Sequence, residues 1–211
     1  MAESRRATPG RAITGLLPHG GTRKAGRLVK VRRFAYLAAM AIRSILTLPD
    51  PRLRKPAAPV EAVDAELRAL AADMLETMYD APGIGLAATQ LGVMKRMFVM
   101  DCAGKDEPER PIVLINPELL WSSEETVTTE EGCLSIPEVY ENVTRPERVR
   151  MRWTDLDGKP HEEEFAERWA ICAQHELDHL NGRLFIDRLS AVKRAMIVAR
   201  MKKLKREKAR A

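Results

Sequence analysis

Gln174-His175-Glu176-Leu177-Asp178-His179 carries the reading of this chain. On a helix, residues i and i+4 share a face, so His175 and His179 project together and can bind one metal ion. Glu176 stands beside the first of them, where a carboxylate can take a proton from a coordinated water. The chain has four histidines, and this helical turn holds two of them. The bland alternative is an ordinary helix on which three letters fell together by chance. A third ligand separates the two readings.

Helices of this type in zinc metalloproteases usually find their third ligand downstream. In the pattern His-Glu-x-x-His-x-x-Gly-x-x-His, Gly182 matches the glycine, but Phe185 stands where the last histidine would be. Asp187 and Glu207 are the downstream acids, and Glu207 lies in a lysine-rich tail. The search therefore turns upstream, to Cys102, Cys133 and Cys172. Three cysteines without dense spacing argue against a disulfide framework and for a reducing compartment. Cys133 follows Gly132 at the end of a strand-like run, Thr126 to Thr129. Two imidazoles and one thiolate leave a fourth position open, as catalytic metal sites do. Cys172 competes, three residues before His175 on roughly the same helix face. Its neighbours Ala170, Ile171 and Ala173 favour a small buried hydrophobe instead. Cys102 has no partner motif and reads as structural.

Three segments together resemble the signature motifs of the peptide deformylase family, in that family's order. They are Gly83-Ile84-Gly85-Leu86-Ala87-Ala88-Thr89-Gln90, Glu131-Gly132-Cys133-Leu134-Ser135 and the histidine segment. The resemblance runs from about Ile45, through Pro49-Asp50-Pro51-Arg52-Leu53-Arg54, to the C-terminus. It implies hydrolysis of the formyl group from N-formylmethionine on nascent polypeptides, with release of formate. It also implies that Cys133, His175 and His179 hold the metal and that Glu176 is general base and then acid. The Gln90 side-chain amide and the Leu134 backbone N–H would stabilise the oxyanion. Without the motif, Gln90 reads as a cap on a backbone group. Ile84, Gly85 and Gly132 match positions that hydrogen-bond an extended substrate main chain. Ile171 and Cys172 are placed to line the methionine pocket, with Trp169 nearby. Tyr140, Arg168 and Trp169 fall where the family's rim varies. Arg145 is expected to pair with Glu131 and steady the cysteine-bearing segment. Two nitrogens and one sulfur suit zinc by softness and geometry. The family implies Fe2+, with Zn2+, Ni2+ or Co2+ as substitutes, and oxidation of Cys133 as the damage expected in air.

Gly83-x-Gly85-x-x-Ala88 also mimics a dinucleotide-binding turn, which requires a strand before it and a helix opening on it. The preceding segment instead has the helical period. Leu67, Leu70, Ala71, Met74, Leu75 and Met78 recur on one face, Asp64 and Glu66 occupy the first turn, and Ala81-Pro82-Gly83 ends it. The nucleotide reading is set aside.

The chain has 211 residues, enough for one domain with a sizeable core, and its 45% hydrophobic and 31% charged content is that of a globular protein. The net charge of +5 hides a division: residues 1–39 carry +8 and residues 192–211 another +8, which leaves −11 on residues 40–191. Residues 1–39 read as a basic, disordered extension before a catalytic domain of residues 40–211. Three origins compete for it. Met40 offers a second start close to where the resemblance begins. An Arg-rich, acid-poor segment fits an organellar presequence. Arg32-Arg33 before Phe34–Ile42 suggests a secretory signal, the weakest of the three because the apolar run is short. The bacterial cytoplasm is the expected location, with an organelle as the alternative. No stretch is long enough to span a membrane.

Met97–Met100 and Ile112–Ile115 read as strands. Val149, Met151 and Trp153 alternate with Arg150 and Arg152, so one face of that strand is buried. Asp157-Gly158 turns the chain toward a strand over Lys159–Phe165. Glu167–Asn181 reads as a helix closed by Gly182 as C-cap. In a last helix, about 190–209, Val192, Ala195, Met196 and Ala199 form one apolar stripe, with Lys and Arg over much of the rest. The fold class is α+β: antiparallel strands packed around a central metal-binding helix, with a C-terminal helix. The basic residues of 192–211 are either a solvated face or, as resemblance implies, a docking surface for the ribosome. His19 and His161 read as surface residues. Two rivals remain open. One is a metallopeptidase of the His-Glu-x-x-His type, and the other is a non-catalytic ribosome- or RNA-binding protein.

Overall fold

The histidine segment folds as a helix, α2 (Glu167–Leu180), buried along its C-terminal half. Every residue from Cys172 to Leu180 is buried there, the polar ones included. A helix that hides Gln174, His175, Glu176, Asp178 and His179 must give each a partner, and the rest of the fold supplies them. The computed structural model describes residues 41–208 and 210. The expectations for residues 1–39, including His19, lie outside the described residues.

Among the described residues, seven antiparallel strands surround this helix. They are β1 (Gly85–Ala87), β2 (Met97–Met100), β3 (Ile112–Ser122), β4 (Thr126–Cys133), β5 (Ile136–Pro146), β6 (Arg148–Thr154) and β7 (Pro160–Ala166). β1-β2-β3-β6-β7 form one sheet, and β4 and β5 form a separate two-stranded ribbon. In β2 the period of two sorts the side chains. Phe98 and Met100 enter a cluster with Ala170, Ala173 and Leu177 of α2. Met97 and Val99 enter a second cluster with Leu67, Leu70 and Met74 of α1 (Ala65–Asp80). The sheet is thus packed on both faces. Each buried Leu, Met or Phe contributes roughly 2 kcal/mol by leaving water.

α1 begins where its sequence predicts. The Asp64 carboxylate accepts from Leu67 N at 2.7 Å and caps the helix. In β6, Val149, Met151 and Trp153 are buried while Arg148, Arg150 and Arg152 face outward, as alternation requires. β3 outruns its apolar stretch to reach Ser122, held by pairing with β6, and exposes Leu119, Leu120 and Trp121.

One expectation is corrected. The cap of α2 is Asn181, and Gly182 (φ 69°) follows it in the left-handed conformation. A Cβ on Gly182 would lie 2.6 Å from Arg54 O, so the backbone of the 3-10 turn Pro51–Arg54 also excludes a side chain there. In α3 (Ala191–Lys208) the apolar stripe of Val192, Ala195, Met196 and Ala199 faces outward, with Val192 71% and Met196 67% exposed. Ile197 and Met201 are buried instead, against Ile136, Val139 and Val143 of β5 and Leu184–Ile186. Both sets have helical spacing, and the position of the ribbon selects one of them. No helix among the described residues is long and apolar enough to cross a membrane.

Candidate metal centre and catalytic cleft

β4 delivers Cys133 at its last position, next to a register shift at Gly132, and Leu134-Ser135 makes the two-residue turn into β5. The ribbon lays Cys133 Sγ 3.2 Å from His179 Nε2. The donor atoms of Cys133, His175 and His179 all lie within 4.8 Å of one another. Metal bonds of about 2.0–2.3 Å place tetrahedral donors roughly 3.5 Å apart, so this set fits a divalent cation. Cys102 and Cys172 do not join it. Both thiols point at Ile84 O, 3.9 and 3.5 Å away.

Behind the donors runs a buried ionic chain. Glu131 Oε2 lies 2.9 Å from His175 Nδ1. A carboxylate there makes Nδ1 the protonated nitrogen and leaves Nε2 free to ligate. Arg145, which has no solvent exposure, donates Nε to Glu131 Oε1 at 2.6 Å and Nη1 to Asp178 Oδ2 at 2.8 Å. Arg188 donates to the same Asp178 at 3.0 Å. Arg145 therefore joins the cysteine ribbon to the histidine helix. The pairing with Glu131 is as expected from sequence, whereas the Glu131–His175 contact and the parts of Asp178 and Arg188 were missed. Asp178 carried a signal, three residues from His175 and so on a neighbouring face of the helix.

The two imidazoles are driven apart electrostatically. Burial disfavours a charged His175, yet neighbouring Cys133 and the hydrogen bond to Glu131 raise it well above its usual value. Burial, His175 and Arg145 push His179 well below. Burial opposes a charged Glu131 too, but hydrogen bonds from His175 and Arg145 hold it down to about 2. Glu176 goes the other way: burial lifts it to about 7, with nearby His175 and Arg145 pulling down. Its Oε2 is buried and has no hydrogen-bond partner.

Gln90 sits in a short 3-10 turn (Ala88–Leu91) just after β1. Its Oε1 accepts from Ala87 N at 2.8 Å. Because a backbone N–H can only donate, this contact fixes which end of the amide is which. Nε2 then points to Ser135 Oγ at 3.2 Å and toward Cys133 Sγ at 3.8 Å. Gly85 runs close beneath the helix: a Cβ there would come 2.5 Å from Glu176 Oε1 and 2.7 Å from Cys172 Sγ.

These groups open onto a cleft of about 790 Å³. Ile84, Gly85, Gln90, Gly132, Cys133, Leu134, Ile171, Cys172, His175 and Glu176 all line it. His179 contacts Cys133 from behind. Ile84 is 41% and Tyr140 65% exposed at the mouth, and Arg168 is at the rim. Trp169 does not line the cleft; it stacks on Phe165, under Arg110. His161 is exposed and pairs with Asp155, as a surface residue should.

The polypeptide deformylase family model matches residues 42–195. The chain belongs to this family. The peptide deformylase of Phenylobacterium zucineum is 54% identical over 164 residues, spanning 78% of this chain and 97% of its own length. That of Nitrobacter hamburgensis is 56% identical over 168 residues, spanning 78% and 96%. The crystal structure of the Legionella pneumophila peptide deformylase superposes with a TM-score of 0.74 at 48% identity, covering 81% of this chain and 99% of that one. The Ehrlichia chaffeensis enzyme in complex with actinonin gives 0.76 at 40% identity, covering 79% and 99%. Deformylases are metal-dependent hydrolases, in keeping with the Cys133–His175–His179 donor cluster. The family match closes at Ala195, so most of the basic part of α3 lies beyond it.

Proposed function

We propose that this chain removes the formyl group from the N-terminal formylmethionine of nascent polypeptides and releases formate. The observation that carries the residue assignment is the position of Glu176. Its carboxylate is 4% exposed, with Oε2 unpartnered, in the cleft beside the Cys133–His175–His179 cluster.

Cys133 Sγ, His175 Nε2 and His179 Nε2 would hold the metal, with Glu131 fixing the His175 tautomer. A divalent cation bound there acidifies water and supplies a nucleophile near neutral pH. Glu176 takes the water's proton on Oε2 and passes it to the leaving nitrogen. Its elevated proton affinity, about 7, suits a group that must accept and release at neutral pH. Gln90 Nε2, aimed by Ala87 N, and the Leu134 N–H donate to the oxygen that gains charge. One such donor is typically worth about 10²–10³ in rate. Ile84, Gly85 and Gly132, which line the cleft, would receive the substrate main chain as an added strand. Ile171 and Cys172 form the wall against the methionine side chain.

Fe2+ is the proposed resident metal, with Zn2+, Ni2+ and Co2+ able to replace it on the same nitrogen and sulfur donors. Residues 40–211 form the catalytic domain, and residues 1–39 are an extension to it. Lys202, Lys203, Lys205 and Arg206 lie on exposed positions of α3 and would meet ribosomal RNA phosphates by salt-sensitive attraction. The bacterial cytoplasm, where such chains emerge, is the proposed location.

The test is formate release from a formyl-Met tripeptide by anaerobically purified, Fe2+-loaded protein, with Glu176→Ala alongside. Release by the parent and near-silence in a variant that still binds metal are expected. Cleavage of unformylated peptides without formate release would replace this reading with that of a peptidase.

A further inference from the structure

Two thiols outside the metal cluster converge on a single carbonyl. Ile84 O accepts from Asp101 N at 2.9 Å, and Cys172 Sγ and Cys102 Sγ lie 3.5 and 3.9 Å from the same oxygen. The topology explains the meeting. β1 and β2 pair with Gly85 opposite Met100, so Ile84 and Cys102 leave that pair at the same end, and α2 brings Cys172 over them. Both cysteines are free and belong to one apolar cluster. They differ in access: Cys172 lines the cleft and Cys102 does not.

We propose that Cys172 and Cys102 form a reversible disulfide when the protein meets hydrogen peroxide, an oxidation site separate from Cys133. Peroxide reaching the cleft is attacked by the Cys172 sulfur. An S–O bond forms, the O–O bond breaks, and one water leaves, giving a sulfenic acid. The Cys102 sulfur then attacks the oxidised sulfur. The S–S bond forms, the S–O bond breaks, and the departing hydroxide takes the Cys102 proton to leave as a second water. Two thiols are oxidised and one peroxide is reduced to two waters. Neighbouring Cys102 and burial push the Cys172 thiol up, so little thiolate is present at neutral pH and the first step is slow. The proximity of Cys102 then favours capture of the sulfenic acid over further oxidation.

The consequence rests on the deformylase reading of the cleft. Cys172 Sγ walls the space beside Gly85, at 2.7 Å from where a Cβ would stand. Drawing that sulfur toward Cys102 reshapes the pocket for the methionine side chain and removes both thiol donors from Ile84 O.

The experiment uses the full chain loaded with Ni2+, exposed to hydrogen peroxide, alkylated and digested without reduction. The expected product joins the Cys102 and Cys172 peptides, two hydrogens lighter than their sum, and dithiothreitol separates it. Formate release should fall and dithiothreitol should restore that share of it. Cys102→Ser should keep the basal activity, give no joined peptide and show no dithiothreitol-recoverable loss; Cys102→Ala serves should the serine variant fail to fold. Both thiols still open to alkylation after Cys133 has been oxidised would overturn the proposal, as would equal recovery by dithiothreitol in parent and variant. A parent that forms the joined peptide but never releases formate would uphold the thiol pair and defeat the functional reading.

Discussion

Glu131 Oε2 and His175 Nδ1 stand 2.9 Å apart, and this contact orients the imidazole within the Cys133–His175–His179 donor group. Partners that orient metal-bound imidazoles typically carry 10–100-fold in metal affinity. Glu131→Gln should therefore weaken Zn2+ binding by roughly that factor while leaving Cys133, His175 and His179 in place. Competition with a chromophoric chelator measures it. Unchanged affinity would mean that helix packing alone sets the ring.

The same carboxylate makes stability depend on acid. Burial works against its charge, but His175 and Arg145 bring Glu131 from 4.5 down to about 2 in the fold. A lowered folded value contributes stability above the unfolded one, and that contribution is lost as pH falls from about 4.5 to about 2. Glu131→Gln lacks this titration. The gap in unfolding free energy between metal-free parent and variant should therefore narrow through that window. Urea midpoints taken from pH 7 downward would show it, and a constant gap would count against it.

Arg145 bridges Glu131 on β4 and Asp178 on α2 with no solvent to replace it. Arg145→Ala leaves two buried carboxylates without that cation and should cost about 3–5 kcal/mol. Chemical unfolding of the metal-free variant tests this. A loss below about 1 kcal/mol, the usual worth of an exposed pair, would show that water reaches the site.

Gly85→Ala would set a methyl 2.5 Å from Glu176 Oε1. Either the carboxylate or the strand must shift. Displacing a catalytic group by about 1 Å can cost on the order of 10² in rate. The variant should retain metal, lose kcat/KM by about that much and unfold with no more than the roughly 1–3 kcal/mol penalty of overpacking. Near-parental kcat/KM would place Glu176 away from the reacting atoms.

The short-range patterns were legible because they are local. Helical period with acidic Asp64 and Glu66 at its start marked α1, alternation marked β6, and the i, i+4 spacing put His175 and His179 on one face of α2. The flanking residues favoured Cys133 as the third donor, but local spacing did not exclude Cys172, which lies on the same helix as both histidines. That choice belongs to the β4–β5 ribbon, whose register and turn carry a residue 42 positions away from His175 into the cluster while the sheet holds Cys172 against Ile84. α3 shows the same limit. Its sequence offers two apolar stripes, and only the placement of Ile136, Val139 and Val143 decides that Ile197 and Met201 are the buried pair. The sequence by itself determined the element types and the candidate donor residues, both cysteines included, since those follow from periodicity and side-chain chemistry. The tertiary structure decided which distant donors meet and which helix face is covered, because both depend on packing between segments that no local pattern encodes.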